Sequence, residues 1–145
     1  MARDIPALRI LPMSGQIRGF CGRSIEDVQA GLFLCDLPRC NGRWRYASAG
    51  LNTPAGSVVL FQFRARIIAS AVFLRDERFE RPIRGHHGAM HFDPRSIRTF
   101  DPIDAEAMRV IWPGFRGFGH VKQYLNPTRY GQFARRLKHV KTPVV

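Results

Sequence analysis

Not one aspartate or glutamate follows Glu106: the last 39 residues carry eight Lys or Arg and no acid. Nothing in that segment repels a phosphate, whereas each Arg or Lys set against one releases condensed counterions, so its composition suits a polyanionic partner. Lysine is scarce as well. Of 23 basic residues only Lys122, Lys138 and Lys141 are lysine, and an arginine-built charge favours bidentate phosphate or guanine-edge contacts and stacking on bases. Cysteine is limited to Cys21, Cys35 and Cys40. An odd number at irregular spacing excludes a disulfide framework and makes no zinc pattern; it points to a reducing compartment, with the thiols as small buried apolar groups. No apolar run approaches the roughly 20 residues of a membrane helix, and no signal-type apolar segment opens the chain, so a cytoplasmic protein without a membrane role is expected. Internal repeats and a strong catalytic signature are also missing.

What is present is charge, unevenly placed. The formal net charge is +12 over 145 residues, a length that suits one domain whose core needs neither metal nor disulfide. Residues 37 to 75 hold six Arg and no acid, and residues 76 to 106 hold every acid beyond Asp36. Excess arginine is otherwise an ordinary solvated face.

Local patterns give the elements. Residues 1 to 20 are punctuated by proline and read as an extended lead-in. Ser24-Ile-Glu-Asp27 has the form of a capping box, with Gly31 placed to end the short helix. Leu32-Phe-Leu-Cys35 reads as a strand. Arg43-Trp-Arg-Tyr46 alternates, placing Arg43 and Arg45 on one face and Trp44 and Tyr46 on the other. Residues 57 to 63 and 67 to 74 are apolar throughout and read as a hairpin buried on both faces. Asp76 to Glu80 reads as a solvated loop, and His87 to Phe92 and Arg95 to Phe100 as two further strands bounded by Asp-Pro turns. Residues 104 to 111 form a short helix. Asn126-Pro127 supplies a cap and a first-turn proline for a helix through about His139, which docks through Tyr130, Phe133, Ala134 and Leu137. The sum is an α+β, β-rich domain, a curved sheet or small barrel with about three short helices.

The order Leu32-Phe-Leu-Cys, Gly42-Arg-Trp-Arg-Tyr, Pro54-Ala-Gly-Ser-Val-Val-Leu-Phe-Gln-Phe and Ile67-Ile-Ala-Ser-Ala-Val resembles the PUA-like superfamily, its EVE-like branch in particular. The pattern covers residues 31 to 75 well and 87 to 140 loosely. The resemblance implies a reader of modified bases: a basic barrel rim grips phosphates, and a base, sometimes flipped from a duplex, stacks in an aromatic pocket to which Trp44 and Tyr46 would belong. The chain departs from the EVE pattern at Ser57, where that branch usually has Asp, and in lacking its opening Trp-bearing strand.

Apart from the resemblance, interleaved rings and cations suit single-stranded nucleic acid, since base stacking contributes about 1 to 3 kcal/mol per base and Arg adds phosphate and cation–π contact. The expected DNA- or RNA-binding residues are Arg43, Trp44, Arg45, Tyr46, Trp112, Phe115, Arg116, Phe118, His120, Arg129, Arg135, Arg136 and Lys138, with Tyr124 a further candidate platform. The competing reading of such rings is core. No cofactor or resident metal is expected, because His86, His87, His91 and Asp93 lack the spacing of a ligand set. Two other classes stay open: a small metal-dependent nuclease using His87 or His120 with Asp93 or Asp76, and a basic subunit that meets an acidic protein.

Overall fold

The apolar runs after Gly56 form the centre of the molecule. A computed structural model describes residues 5–13, 22–47, 50–119 and 121–144. In it β3 (Val58–Phe63) pairs antiparallel with β4 (Arg66–Ile83) across a tight turn in which Arg64 and Ala65 both take positive φ. That is the handedness a two-residue hairpin turn needs to match strand twist. Period-two alternation then splits β3 between two cores. Val59, Phe61 and Phe63 enter one with Phe33, Phe73 and Phe92, while Val58 and Leu60 enter the other with Met108, Trp112 and Phe133.

Around this hairpin β1 (Leu8–Pro12), β2 (Arg43–Tyr46), β5 (His86–Phe92), β6 (Arg98–Ile103) and β7 (Gln123–Leu125) complete a mixed seven-stranded sheet, curved and unclosed, of order β2-β5-β4-β3-β1-β7 with β6 also on β4. The 18 residues of β4 serve two neighbourhoods: its first half pairs with β3 and β6, and beyond Phe73 it pairs with β5.

Several local expectations change. The lead-in contains β1, which runs parallel to β3; Leu8 and Ile10 enter one core while Leu11 enters the other, so the segment is a buried strand. Leu32–Cys35 is helical. The Ser24 capping box opens α1 (Ile25–Val28) as expected, but the helix passes through Gly31 as a π-wound stretch, Gln29–Asp36, into α2 (Leu37–Arg39). Val28 and Phe33 are both buried five residues apart. Five residues overshoot an α-turn by more than a third, and the i→i+5 winding brings Phe33 back over Val28. The Gln29 amide fastens this helix to the sheet, donating to the carbonyls of Ile68 (2.9 Å) and Phe100 (2.7 Å).

Asp76 to Glu80 is strand rather than loop, because β5 supplies a backbone ladder opposite Phe73–Arg78 that outweighs the polarity of the side chains. Arg95 stands in a turn capped by Asp93, and the strand expected there begins at Arg98. Finally, the short helix expected over residues 104 to 111 is α3 (Ala105–Ile111), capped by Asp104, and Asn126 caps the C-terminal helix as expected, yet after the 3-10 turn Pro127–Arg129 the helix α4 spans only Tyr130–Ala134. The chain beyond it docks on β6 instead: Asp101 N donates to Lys138 O, and Lys141 and Thr99 exchange backbone bonds. A helix running through His139 would forfeit these bonds.

Candidate nucleic-acid interface

Strand β2 forms one edge of the sheet and pairs with β5, so its Trp44 looks inward from a rim. One face of the indole stacks on Phe61 (ring centroids 5.4 Å apart, 19° between planes), with Phe33 6.2 Å away. Tyr46 is buried, and its hydroxyl donates to Asp76 Oδ2 at 3.1 Å. Burial and that carboxylate push the phenol up, so it stays a hydrogen-bond donor. Gly88 opposite has no alternative: a Cβ there would collide with the Tyr46 hydroxyl.

Arg43 reaches Glu77 at 3.5 Å and lies over the Phe79 ring. Glu77 also takes His91 Nε2 at 2.9 Å, and that hydrogen bond above all holds its carboxyl below the usual range; desolvation opposes it, and the Arg43 charge adds a lesser lowering. Arg45 is exposed.

These residues open on a cleft of about 940 Å³ between β2, the end of β1 and the π-wound helix. Its wall is apolar at Leu11, Leu37, Trp44 and Met90. Arg43, Arg45 and Lys122 bring three cations to it, and Asp36 is the one carboxylate among its lining residues. His86 also lines it, and His86 Nδ1 is buried with no hydrogen-bond partner. Lys122 and His86 are not among the residues the sequence pointed to. Lys122 belongs to the acid-free segment, but nothing local announces that it stands near Trp44.

A different outcome holds at the aromatic-glycine segment. Trp112 and Phe115 are only 5% and 6% exposed and close the second core, Trp112 against Phe133 and with Nε1 donating to Asn126 O. Their rings are therefore not open platforms, and Phe118 is partly buried against Phe115. Arg129 donates to Ile111 O at 3.0 Å, and Arg116 is exposed. Both border a smaller groove of about 430 Å³ with Gln123 and Tyr124. Arg135, Arg136 and Lys138 are exposed on the short tail and line neither depression. His120 and Cys21 lie outside the described residues.

Cys40 is exposed and Cys35 partly so, which corrects the expectation that the thiols are buried. Asp93 caps the turn at Arg95 and Asp76 holds Tyr46, while His87 is exposed. Among the described residues no three His, Cys, Asp or Glu side chains are grouped to hold a metal ion, and no helix is long and apolar enough to cross a membrane.

No family model matches the chain, and no curated protein matches it. Solved structures do. The chain is similar to ASCH from Zymomonas mobilis, with a TM-score of 0.55 and 8% identity over 92% of this chain and 97% of that one. A point mutant of ASCH from the same organism aligns with a TM-score of 0.54 and 9% identity, over 94% and 100% of the two chains. At such identity the likeness is one of fold alone: the α+β fold of this chain, a curved and unclosed mixed sheet with short helices, is similar to that of ASCH.

Proposed function

We propose that this protein binds unpaired nucleic acid, RNA foremost, holding a base in the cleft beside Trp44 while Arg43, Arg45 and Lys122 hold phosphates. The observation that carries this reading is the cleft itself, an apolar wall with a half-buried indole among three cations. Stacking tolerates any base, and arginine and lysine track a backbone, which together make a single-strand site. Single-stranded loops with splayed bases are the usual target in RNA. The PUA-like fold agrees with the reading. A base turned out of a duplex, or a modified one, is the finer form of the same proposal.

Intrinsic fluorescence provides the test, because Trp112 is buried and Trp44 lines the cleft. Titration with single-stranded RNA and DNA should quench Trp44, with the signal retained in Trp112→Phe and an apparent affinity that falls steeply with salt. Absence of binding tighter than about 10⁻⁴ M at low salt, the level of weak nonspecific association, would leave the basic rim to an acidic protein partner and end the proposal.

A further inference from the structure

The β7 edge of the sheet carries a second pairing of ring and cation, apart from the cleft. Arg9 is 5% exposed, yet among the described residues no carboxylate pairs with it. Its guanidinium donates instead to the backbone carbonyls of Asn52 (3.0 Å) and Gln123 (3.3 Å) and lies 3.7 Å from the centre of the Tyr124 ring. Arg9 and Tyr124 are cross-strand partners in the β1–β7 ladder, so backbone register holds ring and cation together. Tyr124 is nevertheless 68% exposed. An exposed ring whose inner face is fixed on a buried cation presents its outer face already oriented, so that a stacking partner loses little extra side-chain freedom.

The surroundings are charged for one sign of ligand. Tyr124 borders the groove that also holds Arg116 and Arg129, and no Asp or Glu lines it. Lys122, at the cleft, precedes Tyr124 by two residues, about 7 Å of extended chain. A strand leaving the cleft along β7 would reach this ring next.

We propose that Tyr124, backed by Arg9, is a second stacking platform, taking a neighbouring unpaired nucleotide whose phosphates meet Arg116 and Arg129. This rests on the nucleic-acid reading of the cleft and extends its footprint along β7. A flat ring with one open face beside two guanidinium groups fits a base and its phosphate better than an acidic peptide, which offers carboxylates but no π-face.

The test is a fluorescence-anisotropy titration of a single-stranded octanucleotide, as RNA and as DNA, against wild type, Tyr124→Ala, Tyr124→Phe and Trp44→Ala, with thermal melts to confirm folding. Because Tyr124 is largely exposed, its truncation should leave the fold intact. Tyr124→Ala is expected to weaken binding about tenfold or more at an unchanged salt slope, and Tyr124→Phe to bind as wild type. If Trp44→Ala weakens binding while Tyr124→Ala does not, the second platform is wrong and the cleft stands. If Phe weakens binding as much as Ala, a hydroxyl contact rather than stacking is at work, and the platform is likewise overturned. Loss of poly-glutamate binding by Tyr124→Ala equal to its loss of octanucleotide binding would assign the groove to an acidic protein. Failure of wild type to bind any octanucleotide would remove both proposals.

Discussion

Trp44→Ala separates packing from recognition, because the indole belongs to both. One face stacks on Phe61, which is fully buried. Deleting a fully buried aromatic costs about 3 to 5 kcal/mol, so removing this half-buried ring should cost about 2 to 3 kcal/mol, measured as a shift in the urea midpoint. Recognition loses a different quantity. Stacking of about 1 to 3 kcal/mol per base corresponds to roughly 5- to 150-fold in Kd, and because no cation is removed the dependence on salt should be unchanged. The converse variant, Arg45→Ala with Lys122→Ala, should lower the slope of log K against log salt by about 1.4, since each phosphate contact on a single strand contributes about 0.7. Trp44→Phe should recover most of both losses by restoring a ring against Phe61. Anisotropy titrations at four salt concentrations, on protein shown to be folded, read affinity and slope together. Wild-type affinity in Trp44→Ala would refute the reasoning, and so would a slope that falls with the ring and not with the cations.

Phe61→Asp places an unpaired carboxylate among Phe33, Trp44 and Phe92 and should leave no cooperative melt; a variant that melts like wild type would show that β3 is not central. Ala65→Gly should stabilise the protein by about 1 kcal/mol, a rise in Tm of roughly 4 °C, because Ala65 is exposed at φ +56° in the central hairpin turn; an unchanged or lower Tm would mean that the turn is not strained. The depressed carboxyl of Glu77 gives a pH dependence. Its folded-state value lies below the ordinary 4.5, so its contribution is complete above that value and fades as the pH falls through the folded-state value. Glu77→Gln should therefore be less stable than wild type near neutrality and converge with it as the pH falls below the ordinary carboxylate range, in urea midpoints; parallel curves would refute the coupling to His91 and Arg43.

Elements that depend on neighbours in the chain are legible in the sequence alone. Ser24 with Asp27, and Asn126 with Pro127, are caps made by side chains reaching two or three residues away, and each stands where the sequence puts it. The hairpin of β3 and β4 is legible for the same reason: two apolar runs separated by a short polar link have few other ways to be buried. The acid-free composition of the C-terminal segment is likewise a property of sequence alone.

Tertiary structure decided what depends on partners distant in sequence. Leu32–Cys35 has a strand's composition but became helix, because the core accepts Val28 and Phe33 together only from a widened turn. Asp76 to Glu80 became strand because β5 lies alongside. Trp112 and Phe115 follow no burial pattern within their glycine-rich segment, and their rings close a core only because β1, β3 and α4 supply its other walls. The cleft is the furthest from local reading: Trp44, His86 and Lys122 come from three separate stretches and meet only where the open sheet curves. Sequence set which charges and rings the protein owns, because composition needs no geometry. The fold chose which of them face solvent together, because that depends on long-range packing that no local pattern records.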